Sequence, residues 1–130
     1  MLRYTITMTF VLFGFVAVST TYGQSIGEQK PAKDMSILEI MNETTKKPAQ
    51  LLRKVQTGAA SDAEKQRLVD LYKSLAEHKP PQGDLEAWKE RTTLLVDAAE
   101  KAQRGEEGSA SLLRKASNCI ACHKEHKLDE

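Results

Sequence analysis

Two amphipathic patterns separated by a turn stand in the middle of the chain: SDAEKQRLVDLYKSLAEH (61–78), KPPQG (79–83) and DLEAWKERTTLLVDAAEKAQR (84–104). In the first and third parts, apolar residues recur every three or four positions, which predicts an amphipathic helix in each. The prolines and the glycine between them end the first helix and turn the chain. The predicted core stripes are Leu68, Leu71, Tyr72 and Leu75 on the first helix, and Trp88, Thr92, Leu95, Ala99 and Ala102 on the second.

The starts of these helices are marked by residues that favour a helix N-terminus. Ser61 and Glu64 have the spacing of a capping box, in which each side chain bonds the backbone amide of the other residue. Asp84 suits an N-cap because its carboxylate can accept a hydrogen bond from the first turn. Ser36 and Glu39 repeat the capping-box spacing and predict a third helix start upstream.

The segment upstream, from about Asp34 to Thr57, also has an approximate helical period. Pro48 lies inside it and removes a backbone donor, so we expect a kink or a break near Lys46–Pro48. Gly58 is expected to end the segment. Its apolar stripe consists of Ile37, Ile40, Met41, Thr44, Leu51, Leu52 and Val55.

The segment downstream, from Ser109 to about Lys127, predicts a fourth helix after a glycine-flanked turn at 105–108. Leu113, Ala116, Ile120 and His123 fall on one face of that helix. Four helical segments with short connections predict an all-α fold, an up-down antiparallel four-helix bundle over residues 34–130. Many of its core positions are alanine, which leaves room inside the bundle for a group that is not a side chain.

The first 23 residues have the composition of a secretory signal peptide. Arg3 gives a short basic region, an apolar run follows over 6–18, and Gly23 offers a small residue at the cleavage position. The run is shorter than the roughly 20 apolar residues that cross a bilayer. We expect export to the periplasm, a polar flexible leader over residues 24–33 and no membrane span in the mature chain, with an uncleaved N-terminal anchor as the alternative.

The charge of the chain excludes one class of partner. The whole chain has a formal net charge of +1, and Arg3 is the only charged residue within the first 23. The mature chain is therefore formally neutral, whereas nucleic-acid binders carry a basic excess. No nucleic-acid partner is expected.

One motif carries chemistry: CIACH (119–123), a C-x-x-C-H sequence, the attachment signature of c-type haem. On a helix Cys119 and His123 are one turn apart on the same face, so the two thiols can form thioethers with a porphyrin while the imidazole of His123 ligates its iron. One covalent haem c is the cofactor this predicts. Two alternatives remain: a redox or structural disulfide between Cys119 and Cys122, and a zinc site built from Cys119, Cys122 and either His123 or His126, with the distant His78 as the fourth ligand.

The mature chain resembles the class II cytochromes c, the cytochrome c-prime group. The resemblance rests on an exported helical domain with C-x-x-C-H on its last helix and no methionine after His123. The ending NCIACHKEHK (118–127) and the turn KPPQG (79–83) are most similar to small planctomycete-type members. The resemblance implies a four-helix bundle with covalent haem on the last helix.

The family also implies a distal iron ligand. Low-spin members use a methionine early in the first helix, after an apolar residue, and Ile40-Met41 matches that pattern. Met41 is therefore the implied ligand, with core packing as the alternative. His78 is expected to be a helix-terminal residue, with distal ligation as its alternative, and His126 to be solvated or near a haem propionate.

The predicted function is single-electron transfer by an exported carrier rather than an enzyme, because no catalytic acid–base constellation is found. The alternative is a gas-binding or gas-sensing five-coordinate haem protein, which follows if Met41 does not bind iron. The expected partners are redox proteins, met through the haem-bearing helix, and an alanine-rich helix face could support a homodimer. The basic residues of that helix are Arg114, Lys115, Lys124 and Lys127.

Overall fold

A computed structural model describes residues 29–128, and the regular structure in that range is entirely helical. This confirms the all-α class. A 3₁₀ turn at Ala32–Asp34 precedes six α-helices: α1 Ile37–Thr45, α2 Leu51–Thr57, α3 Asp62–Glu77, α4 Leu85–Gln103, α5 Ser109–Ala116 and α6 Cys119–His126. The expected signal peptide lies outside the described residues, as do residues 24–28 of the expected leader and the last two residues of the chain.

Helices α3 and α4 form the hairpin that residues 61–104 predict. Ser61 and Glu64 make the predicted capping box, and the Asp84 side chain accepts from the Ala87 amide at 2.9 Å. The two helices pack on each other in opposite directions, because Lys73 pairs with Glu100 while the earlier Gln66 meets the later Gln103. Every residue of the two predicted core stripes is buried.

The alanines of α4 are buried between helices of this chain. Ala98 is 0% exposed, Ala99 1% and Ala102 7%, and α4 packs against both α3 and α5. Small side chains let neighbouring helix backbones approach closely. The α4 alanine face, a candidate for a homodimer contact, is thus used within the chain.

The upstream segment is broken where Pro48 predicts. Helix α1 ends at Thr45 and α2 begins at Leu51, after a bend and turn over residues 46–49. Gly58 ends α2 in the left-handed region, at φ 74°. Ile40, Thr44, Leu51 and Val55 are buried, while Ile37, Met41 and Leu52 are half-buried against the same core.

The downstream segment differs from its prediction, which was one continuous helix to about Lys127. The helix stops after Ala116, and Asn118 caps a second one by accepting from the Ala121 amide at 3.1 Å. Ser117 turns its hydroxyl back to the Leu113 carbonyl at 2.7 Å. Ser and Asn side chains compete with backbone bonding in this way, which favours a helix boundary over a helix interior.

The face predicted for this segment is wrong beyond the break. Leu113 is fully buried and Ala116 half-buried, as expected for an inner face. Ile120 is 82% exposed and His123 is also exposed. The boundary at 117–118 changes the helical phase, so a stripe extrapolated through it no longer faces the core. Among the helices within residues 29–128, none is both long and apolar enough to cross a membrane.

Candidate haem-attachment site

Helix α6 brings the three motif residues together within about one turn. Cys119 is its first residue, and His123 follows four positions later on the same side. Both side chains are exposed, while Cys122 is half-buried against the core. Both thiols are free. The predicted site residues Cys119, Cys122 and His123 therefore lie side by side.

The two cysteines stand in different electrostatic surroundings. Burial raises the pKa of the Cys122 thiol above its ordinary value, the nearby Arg91 guanidinium opposes that shift, and Cys119 and Glu125 add to it. Cys122 thus remains a neutral thiol at neutral pH. Cys119 lies close to Tyr72, whose pKa is raised first by burial and then by that thiol.

His126 is the buried imidazole of α6, at 2% exposure, so the expectation that it would be solvated is wrong. Its Nδ1 donates to the Gln82 carbonyl at 3.1 Å, and its ring meets Trp88 edge-on with centroids 5.3 Å apart. The helical spacing of Cys122 and His126 places them on one face. That spacing pairs the two residues in the sequence, but it does not indicate which face of α6 points inward.

The two methionines of the described residues lie near the start of the described chain, Met35 just before α1 and Met41 within it. Met35 is 6% exposed, and its Sδ accepts from Arg67 Nη2 at 3.2 Å. The same guanidinium pairs with Glu43 at 2.7 Å. Met41 is half-buried on α1, whose main packing partners are α2 and α3, whereas α6 packs against α4.

His78 occupies the end of α3, as a helix-terminal histidine should. It is the C-cap residue, is half-buried, and donates from Nδ1 to the Ser74 carbonyl at 2.7 Å. In the part of the chain that the structure describes, no group of three or more His, Cys, Asp or Glu side chains is placed to hold a metal ion. The zinc alternative lacks a ligand set there.

The outward face of α6 is uncovered within residues 29–128. Ile120 exposes 82% of its surface and Leu128, just beyond the helix, 56%. The four basic residues expected to meet a partner, Arg114, Lys115, Lys124 and Lys127, are all exposed. Ile120 and the two free thiols therefore lie on the same short helix.

No family model, curated protein or solved structure matches this chain. We therefore infer function from the residues of α6 and their surroundings.

Proposed function

We propose that this chain is an exported, periplasmic monohaem c-type cytochrome that carries single electrons. One observation supports this above the others: C-x-x-C-H occupies a single short helix, with Cys119 and His123 on its uncovered face. Cys122 stands one turn away with a free thiol. This donor set matches covalent haem attachment.

The residues of α6 fit the group in chemistry as well as in spacing. Cys119 and Cys122 would hold it through two thioethers, and a ring nitrogen of His123 would ligate the iron. Ile120 would lose water-exposed apolar surface against it, which is favourable at about 25 cal/mol per Å² buried. When bound, haem supplies a reversible one-electron couple at iron. The protein would contribute the two thiols that attach the haem, one axial ligand to its iron and apolar surroundings on one side.

The finer architecture belongs to the same proposal: an up-down antiparallel four-helix bundle with covalent haem on its last helix. In this arrangement α1 and α2 together form the first leg, α3 and α4 the second and third, and α5 with α6 the last. The exposed basic residues of the last leg would meet redox partner proteins, since complementary charge guides such encounters. The chain then acts as an electron carrier and not as an enzyme.

The placement of Met41 favours a second function, a gas-binding five-coordinate haem protein. Met41 is half-buried against the core of α1, and α1 packs on α2 and α3 while α6 packs on α4. If Met41 remains a core residue, the sixth position of the iron stays open, and distal access then decides which small molecules bind.

Visible spectra of the haem-matured protein in both redox states test the two functions. A low-spin ferric spectrum that becomes high-spin in Met41→Ala assigns Met41 as the distal ligand and supports the carrier. The control is Met35→Ala, which should leave the spectrum unchanged because the Met35 sulfur is held by Arg67. A wild-type protein that is already high-spin and binds carbon monoxide supports the gas-binding function. A matured protein without haem absorption contradicts both.

A further inference from the structure

The C-terminal turn of α6 packs against the turn between α3 and α4. His126 Nδ1 donates to the Gln82 carbonyl at 3.1 Å, and the Gln82 side-chain amide donates in return to the Lys127 carbonyl. Because a carbonyl oxygen only accepts, the Nδ1 atom of His126 carries the proton. Two reciprocal hydrogen bonds therefore join one end of the motif helix to residue 82.

Gly83 permits this close approach. It has φ 85°, and a Cβ added there would lie 2.6 Å from the Glu125 carbonyl oxygen and 2.8 Å from His126 Nδ1. Any other residue would force the turn and α6 apart. The turn is thus shaped to receive the backbone of α6.

Two further contacts hold α6 against α4. The ring of His126 stands edge-on to Trp88, at an interplanar angle of 81°. Arg91 donates from Nε and Nη2 to one carboxylate oxygen of Glu125, at 3.1 and 2.9 Å. His126 is the only one of these α6 side chains that is fully buried, so it determines which way the helix faces.

The orientation of α6 is not inherited from α5. The break at Ser117–Asn118 ends one helix and starts another, so the rotation of α6 about its axis must be set by its own contacts. With His126 turned inward, the i−4 position, Cys122, is also inward, while Cys119 and His123 face out.

We propose that His126 is a positioning residue for haem attachment. It does not touch the iron or the thioethers. Its bond to Gln82 and its packing on Trp88 fix the rotation of α6, so that Cys122 is sheltered and His123 is presented on the open face. This inference rests on the proposed function for its purpose, but the rotation itself is a property of the chain without haem.

The first test labels the thiols of the haem-free full chain with a maleimide and compares the rates at Cys119 and Cys122. In the wild type, Cys119 should react faster because its side chain is exposed while that of Cys122 is half-buried. His126→Leu introduces an apolar side chain of similar size that cannot donate a hydrogen bond to the Gln82 carbonyl. The ratio of the Cys119 rate to the Cys122 rate should therefore fall toward one. His126→Asn places an amide donor where Nδ1 lies and should keep the wild-type ratio.

The second test uses Soret-region circular dichroism of the matured protein, which reports how haem sits against the helix. His126→Leu should change its shape or sign, and His126→Asn should restore it. Leu68→Ala is the control, since Leu68 is fully buried on α3 and should lower the melting temperature without altering either readout. The inference is overturned if His126→Leu keeps both the labelling ratio and the dichroism, or if Leu68→Ala changes them equally. A wild type that takes up no haem defeats the proposed function, while the labelling ratios still decide the role of His126.

Discussion

The α3–α4 hairpin and the much shorter α5–α6 segment differ in capping and in burial. The hairpin has two long helices, each with a side-chain cap, whose apolar stripes are buried. Segment α5–α6 consists of two helices of 8 residues with a break between them, and each buries one side chain, Leu113 or His126. We infer that the hairpin supplies most of the stability, while the loosely covered segment offers its surface for chemistry.

The largest expected effect compares a hairpin core residue with an apolar residue of α6. Leu68→Ala should lower the free energy of unfolding by about 2–5 kcal/mol, because Leu68 is 0% exposed and its loss leaves a cavity. Ile120→Ala should change it by less than about 0.5 kcal/mol, because Ile120 is 82% exposed. Denaturant titration of the haem-free chain measures both. Equal losses would contradict the division of roles.

Substitution of Gly83 tests the contact between the α3–α4 turn and α6. Gly83→Ala and Gly105→Ala both place a side chain at positive φ, which costs about 1–2 kcal/mol. Only Gly83→Ala also creates a clash, with the Glu125 carbonyl. It should therefore lower the free energy of unfolding by about 1–3 kcal/mol more than Gly105→Ala does. Thermal melts of the two variants give the difference. If the two variants have the same melting temperature, the close contact between α6 and the turn at Gly83 does not stabilise the fold.

Helix caps should matter less, and more in the hairpin than in α6. Ser61→Ala removes one half of the α3 capping box and should cost about 1 kcal/mol. Asn118→Ala removes the cap of α6, which can fray locally without unfolding the core, so global stability should fall by less. Amide exchange should show faster opening of α6 in Asn118→Ala. A larger global loss there than in Ser61→Ala would mean that α6 is part of the cooperative core.

Acid should produce the smallest effect, which is expected at the charged cap of α1. The Ser36 backbone amide, followed by Lys30, lowers the pKa of Glu39 from 4.5 to about 2. A carboxylate with a lowered folded-state pKa stabilises the fold above its unfolded pKa and loses that contribution as pH falls through the folded value. The difference in melting temperature between wild type and Glu39→Gln should therefore be present at pH 6 and disappear as pH falls from about 4.5 to about 2.

The cap of α6 gives the matched control for that titration. Asn118 is uncharged, so the effect of Asn118→Ala should not vary over the same range of pH. A Glu39→Gln difference that keeps its full size down to pH 2 would show that the charge of Glu39 contributes nothing through the capping box.

The sequence predicted the regions in which local signals and tertiary packing agree. Both capping boxes, the Asp84 cap, the stripes of α3 and α4 and the interruption at Pro48 are confirmed, because each depends on residues close in the chain. The boundary at Ser117–Asn118 was missed because Ser and Asn also occur in helix interiors. Without that boundary, the phase of Ile120 and His123 was extrapolated wrongly.

The sequence predicted that the three motif residues lie together, but it did not predict what surrounds them. The spacing of Cys119, Cys122 and His123 places them together on any helix, so their proximity follows from the sequence. Which of His123 and His126 faces inward depends on the Gln82–Gly83 turn, which is distant in sequence. The ligand role of Met41 stays a prediction, since it concerns a group that side-chain spacing alone does not place.

The central claim is tested most directly by the mass of the tryptic peptide 116–124, ASNCIACHK, from protein produced with haem-attachment machinery. The account predicts that this peptide carries one haem through both thiols, that Cys119→Ala and Cys122→Ala each remove one thioether, and that the double variant carries none. His123→Ala should retain the covalent mass while its iron spectrum changes. A wild-type peptide recovered without haem, as two free thiols or as a Cys119–Cys122 disulfide, would contradict the claim.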